Sequence, residues 1–572
     1  MRIPHSLSAL YSDTTLPVRA PRFALLAAVA LLLNGFGESL LAQPRRAVNP
    51  TATARGVSLS EVSTFNNREL VSYQIMPFGD EFYLATYDVD RVQRGGFNEL
   101  LSLRLHRYDA DLRRDAAIEV PWPDEAREHI SLTSVGENFV WTFARAGRER
   151  DEVEVAVDIL DGRGELVTSQ PVIDFETRDY IRGRLDFESA FTPRRSHYVR
   201  VYAERSENRL FSKRDDERAS ATILVVDEAG AIVTNKRVRL NANRDQLNIE
   251  AVSVDSEGRA YVLAKVYANE RGRERRNGSD ARLYLYTLEP GADRVETTEL
   301  KLQGQYIEGV SLVPNDEGAP SIVGLYSERV NNGRIVGYFS GADVRDGEVL
   351  RPRPFSQRVL EGMGRKITSG RKGNRAIERD FVFRDALRRT DGRLSLLIES
   401  FDVRVINDNL AGPGVGVGVG GFGRQRVQYV YGEGVILDFD EEGDLEDALV
   451  VPKFQVTENP GLPYARMNLV EYEGRAAVLY NDNPKNFTRD VDKRTKPLGW
   501  GNSLAVLGYA ETTRSGRGER LRRVPLFARK AADKVIAMPP SVTRLEDGRV
   551  VFLASRYRVF GRNQVRFGVI TP

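Results

Sequence analysis

The chain has no cysteine among its 572 residues. Disulfides are therefore excluded, as is a lipid-bearing cysteine at an export cleavage site, so burial and hydrogen bonding must hold the fold. Histidine is nearly as scarce. His5, His106, His129 and His197 are scattered, which leaves almost no material for a histidine-based zinc site or a Ser-His-Asp triad. Net charge is missing too: 83 Lys plus Arg against 81 Asp plus Glu leaves +2, so bulk charge points to no nucleic-acid partner. Beyond the N-terminal segment no stretch is apolar enough to span a membrane, and helical periodicity is nearly absent.

The N-terminal segment itself has Arg2, Arg19 and Arg22 ahead of an apolar run over residues 23–33. Such a run rises roughly 16 Å as a helix at ~1.5 Å per residue, too short for a hydrocarbon core of about 30 Å. Export followed by cleavage fits better, with the cut expected after Ala42. Residues 1–42 are read as a signal peptide, 43–56 as a flexible leader and 57–572 as the folded domain, released into the periplasm or outside the cell.

Past the leader, the chain consists of short runs rich in β-branched and aromatic residues, each bounded by Gly, Asp or Asn. The repeating unit is two hairpins joined by a longer charged connection. Acidic-Gly turns such as Asp255-Ser256-Glu257-Gly258, Asp391-Gly392 and Asp547-Gly548 mark it, because Gly takes positive φ without steric cost and Asp bonds the turn backbone. Units begin near Leu70, Ile130, Ile181, Asn248, Ile307, Asp380, Ala465 and Val535, and the last is one strand short. The strand-like residues 57–64 supply the missing strand.

These features predict an all-β fold, a single β-propeller of eight four-stranded blades closed by the N-terminal strand, with seven blades as the alternative count. Two smaller domains divided within residues 358–380 are the competing architecture.

In such blades the middle and inter-blade connections leave one end and the tight turns leave the other. The long connections, residues 204–219, 269–280, 402–426 and 482–501, make that end the expected binding face. They are mildly basic, with Arg271, Arg273, Arg275, Arg276, Lys493, Arg494, Lys496, Arg556, Arg558 and Arg562 placed to meet an anionic polymer, although interleaved acids also suit a plain solvated rim.

Individual motifs are weak. The Gly-rich residues 412–421 lack the Gly-Lys-Ser/Thr ending of a phosphate loop. Asp438, Asp440 and Glu442 resemble the front of a calcium loop, but Leu449 stands where a bidentate Glu belongs, and a hairpin turn explains them better. No cofactor is expected, with calcium as the exception to test. Paired carboxylates for glycosidic chemistry cannot be picked from so many acids. The most distinctive cluster is Asn481, Asp482, Asn483, Lys485 and Asn486, dense in side-chain oxygens where a strand meets its long connection. With Trp500 or Phe487 as a stacking partner and Arg556 and Arg558 as cations, it is the candidate ligand site, against the simpler reading that Asn, Asp and Pro484 end a strand.

Phe381-Val382-Phe383, Leu397-Ile398-Glu399, Tyr429-Val430-Tyr431-Gly432, Val451-Pro452-Lys453-Phe454-Gln455 and residues 479–486 together resemble a family of secreted bacterial propeller-like proteins. The resemblance covers the third quarter of the chain and implies a propeller with no assigned activity. One departure stands out: the family pattern has isoleucine after the acid that follows Tyr-Gly, and here Glu433 is followed by Gly434-Val435.

The expected role is an exported, monomeric, non-enzymatic scaffold that binds a protein or anionic polysaccharide through its long-connection end. The alternative is a glycosidase or lyase acting on polysaccharide from the same face.

Overall fold

The computed structural model describes residues 57–570 apart from short internal stretches, the longest of them 205–217, 268–280, 364–380 and 409–423. The signal, the leader and the Gly-rich segment lie outside the described residues.

Eight antiparallel sheets follow one another along the chain, each a simple meander. Their first strands begin at Glu69, Arg127, Leu185, Leu247, Tyr306, Phe381, Asn468 and Ile536, close to the eight starts read from the turns. First strands pack against the next blade's first strand around most of the ring, and Ile536–Arg544 of blade 8 touches Glu69–Phe78 of blade 1. The ring is therefore closed, with eight blades rather than seven.

Sequence pattern follows position in the blade. Middle strands such as Ala260–Val266 and Glu152–Asp161 are buried almost throughout, because neighbouring blades cover both faces. The outermost strand Ile232–Asn243 instead alternates buried and exposed residues over its second half. Eight apolar clusters fill the eight inter-blade gaps. Leu105 and Val120 meet Trp141 and Phe143 between blades 1 and 2, and Phe82 and Leu84 meet Leu553 and Phe567 between blades 8 and 1. Each such side chain contributes roughly 1.5–3 kcal/mol by leaving water.

The turns do what their residues imply. Asp161 accepts from the backbone N–H groups of Arg163 and Glu165 at 2.8 and 2.9 Å, while Gly164 has φ of 79°. Asp440 of the calcium-like segment accepts from the Asp444 N–H at 2.6 Å, and Asp438 accepts from Ser395 Oγ at 2.5 Å, so this segment forms a hairpin turn.

Closure at the N-terminus takes two short strands rather than one. Val57–Leu59 and Ser63–Phe65 both pair with the last strand, Asn563–Ile570. Ser60 joins them, its N–H donating to Phe567 O at 2.9 Å and its hydroxyl accepting from Phe567 N–H at 3.0 Å. Phe65 then enters the core between the first and last blades.

Two readings are corrected. Residues 402–426 are not one loop: Leu394–Asp408 and Arg424–Phe439 continue as a paired ribbon from Asp402↔Val430 to Asp408↔Arg424. The alternation of Asp402-Val403-Arg404-Val405 carried this signal beside the more conspicuous glycines. Residues 358–380 also contain no domain boundary at their start. A helix, Gln357–Met363, buries Val359, Leu360 and Met363 in the cluster shared by blades 5 and 6.

Candidate functional site

Blades 4, 5 and 6 repeat one device on their first strands. In Leu247–Val254 the register slips between Ile249 and Ala251, in Tyr306–Val313 between Ile307 and Gly309, and in Phe381–Arg388 between Phe383 and Asp385. The extra residues are Glu250, Glu308 and Arg384. A bulge re-aims its side chain, and here each reaches an equivalent position on the second strand. Glu250 meets Lys265 at 3.3 Å, Glu308 accepts from Ser327 Oγ at 2.5 Å, and Arg384 Nε donates to Glu399 Oε2 at 2.5 Å. The partners Lys265, Ser327 and Glu399 stand opposite Asn248, Tyr306 and Val382, two residues before each bulge. The first strands start, and the second strands end, where the long connections leave. A charged arc thus lines that end over three successive blades.

The arc continues from blade 6 toward blade 7. Lys453, wholly buried on the segment after Leu445–Val451, donates to Glu399 Oε1 and to Ala465 O, the latter at 2.5 Å. Its ammonium lies 5.3 Å from the Tyr431 ring, and Arg384 stands 5.7 Å from the same ring. Burial lowers the Lys453 pKa, and Glu399 opposes but does not cancel the effect. Lys265 shows the opposite balance: burial acts to lower it, yet Glu250, Tyr267 and Glu308 hold it above the usual lysine range.

The predicted cluster joins this lattice. Asn481, Asp482 and Asn486 are each about 1% exposed. Asn481 donates to Tyr464 O at 3.1 Å and Ala537 O at 2.7 Å, which bridges blades 7 and 8, while its own carbonyl accepts from Gln455 at 2.8 Å. Asn486 donates to both Asp482 oxygens at 2.9 and 3.0 Å and exchanges hydrogen bonds with the Lys496 backbone. Asn483 caps a single 3-10 turn, Pro484–Asn486, by accepting from the Lys485 N–H at 3.1 Å. Lys485 itself is exposed. Burial drives Asp482 up to about 7 against the hydrogen bonds from Asn483 N–H and Asn486 and the charges of Lys453 and Arg523. Asp385, one residue past the blade 6 bulge, is likewise raised to about 7 by burial.

Arg556 ends the strand Val550–Arg556, paired with Gln564. Trp500, Arg558, Arg562, Lys493, Arg494 and the arginines of residues 271–276 lie outside the described residues. Sequence reasoning missed Glu250, Glu308, Arg384, Glu399 and Lys453 as site residues. For Glu399, Tyr431, Lys453 and Gln455 a signal existed: they belong to the stretches that carry the family resemblance, and the fold converges those stretches here.

Among the described residues, no three His, Asp or Glu side chains group as metal ligands. His129 accepts from Trp141 Nε1 at 3.2 Å and is pushed down to about 4 by burial and Arg200. His106 is pushed to about 3 by burial and by Arg114 and Arg104. Both are neutral packing groups at physiological pH. What the arc offers chemically is fixed charge of both signs beside aromatic rings.

No family matches the chain, and no curated protein matches it. Among solved structures it is similar to a Trp149Ala mutant of Synechocystis apocarotenoid oxygenase at 11% identity and TM-score 0.30, over 67% of this chain and 72% of that one. Cobalt-substituted apocarotenoid oxygenase from the same organism gives 12% identity and TM-score 0.29 over 66% and 71%. Pyrococcus horikoshii acylaminoacyl peptidase gives 9% and 0.32, over 88% of this chain and 58% of its own. Likeness this distant transfers nothing to the site, and the eight-bladed ring rests on its own strand pairing.

Proposed function

We propose that the protein is an exported binding scaffold that holds a partner protein on the end of the propeller from which the long connections leave. The two-stranded ribbon of blade 6 is the observation that carries this reading. It extends beyond its blade at that end, where Val405 is 48% exposed to solvent. The blade 1 ribbon, Glu81–Arg94 with Phe97–Tyr108, likewise exposes 53% of Leu101. Rigid blades display these ribbons, and the buried lattice of blades 6 and 7 fixes the base of one of them. Export is supported by the charged and apolar N-terminal pattern, and among the described residues no helix is long and apolar enough to cross a membrane.

The test is affinity capture from envelope extracts with the full-length protein. Two variants accompany it, one with residues 404–428 replaced by a two-residue turn and one with residues 483–505 shortened. An unchanged set of recovered proteins in both would overturn the proposal.

A second reading, cleavage of an anionic polysaccharide, is favoured by Glu250 and Glu308, two carboxylates at equivalent bulges on adjacent blades. Release of reducing ends from uronate polymers that is lost in both Glu250→Gln and Glu308→Gln would establish it.

A further inference from the structure

We propose that blade 6 encloses a binding site for a small monovalent anion of halide size, held by the terminal nitrogens of Arg384. The Arg384 side chain is 4% exposed, and among the described residues its Nη1 and Nη2 are buried with no hydrogen-bond partner. A guanidinium carries five N–H donors, of which Nε–H alone is used, on Glu399.

Glu399 cannot neutralise its surroundings, because its other oxygen takes the Lys453 ammonium. One carboxylate thus contacts two basic side chains, with Asp482 acting on Lys453 without a direct contact. Arg466 hydrogen-bonds the Tyr431 hydroxyl at the same ring. Phe401 and Tyr431, 5.6 and 5.7 Å from the Arg384 guanidinium carbon, present π faces, and the Tyr431 hydroxyl bonds Arg466 rather than the Arg384 terminal N–H groups. Leaving four donors and a surplus cation dry would cost several kcal/mol.

The missing group must therefore be an acceptor, and the surplus charge favours an anion over water. It must also be small. The two nitrogens are enclosed, so a carboxylate or sulfate tethered to a polymer cannot reach them without unpacking Phe401 and Tyr431. The site is independent of the partner proposed for the long-connection end.

Crystals of the full-length protein grown in sodium bromide test this directly. An anomalous peak within hydrogen-bonding reach of both Arg384 terminal nitrogens is expected. Density there with no anomalous signal, fully accounted for by water, would overturn the proposal. In solution, the melting temperature should rise and then level off as sodium chloride replaces sodium gluconate at constant ionic strength. Identical melting curves in the two salts would count against the site. Arg384→Met keeps the apolar stem and should abolish the halide dependence. If that variant does not fold, the wild-type bromide crystal still decides.

Discussion

Replacing Asp482 by Asn should make the variant's stability, relative to the parent, improve as pH rises. Asp482 is raised by burial from its ordinary 3.8 to about 7. The unfolded chain therefore releases this proton near pH 4 and the folded protein only near 7. Between those values the folded state binds more protons, so the acid costs stability progressively as pH rises, and the full cost is present above 7. From pH 5 to pH 8 the change amounts to about 3 kcal/mol, taking 1.36 kcal/mol per pKa unit. The amide has no such titration. It does lose one contact, because Asn486 Nδ2 donates to both carboxylate oxygens and one would become a second donor, at about 1 kcal/mol. Asp482→Asn should thus be roughly as stable as the parent at pH 5 and about 3 kcal/mol more stable at pH 8. Urea unfolding of both proteins across that range, followed by tryptophan fluorescence, measures the gap. A gap that does not move with pH would refute the assignment of Asp482 as a destabilising buried acid.

The histidines titrate with the opposite sign. His129 protonates near 4 when folded and near 6.5 when unfolded, so it contributes stability above pH 6.5 that is lost as pH falls toward 4, about 3 kcal/mol in all; its ring-proton NMR resonance should stay that of neutral imidazole at pH 5. Phe65→Ala removes the side chain that seats the closing strand between the first and last blades, and should lower stability by about 3–5 kcal/mol and speed hydrogen exchange in residues 57–65 before other blades respond. Gly508→Ala drives a methyl into the Phe487 ring, which stacks on Tyr480 at 5.7 Å, and a loss of about 1–3 kcal/mol is expected in thermal melts. Lys453→Met leaves Glu399 buried with Arg384 alone; a loss of about 3–5 kcal/mol is expected, and a Lys453→Met/Glu399→Gln double variant whose loss is simply the sum of the two single losses would show no coupling between them.

Blade number, blade boundaries and ring closure were legible in the chain because they depend on local chemistry. Acidic-Gly turns need only their own residues, middle strands announce burial on both faces by uninterrupted apolar runs, and a last unit one strand short implies a donor elsewhere, met by Val57–Leu59 and Ser63–Phe65. The Asn481, Asp482 and Asn486 cluster was also visible as an unusual density of oxygens, but not the backbone groups those side chains would bond, since Ala537 and Lys496 lie tens of residues away or across a long connection. Bulge positions were invisible, because the slip that turns out Glu250, Glu308 or Arg384 arises from pairing between two strands and leaves no mark in either strand alone. The meeting of Arg384, Glu399 and Lys453 belongs to the tertiary structure for the same reason: charges spread over seventy residues become one buried group only when blade 6 closes on the segment that follows it, and only then does desolvation set their behaviour.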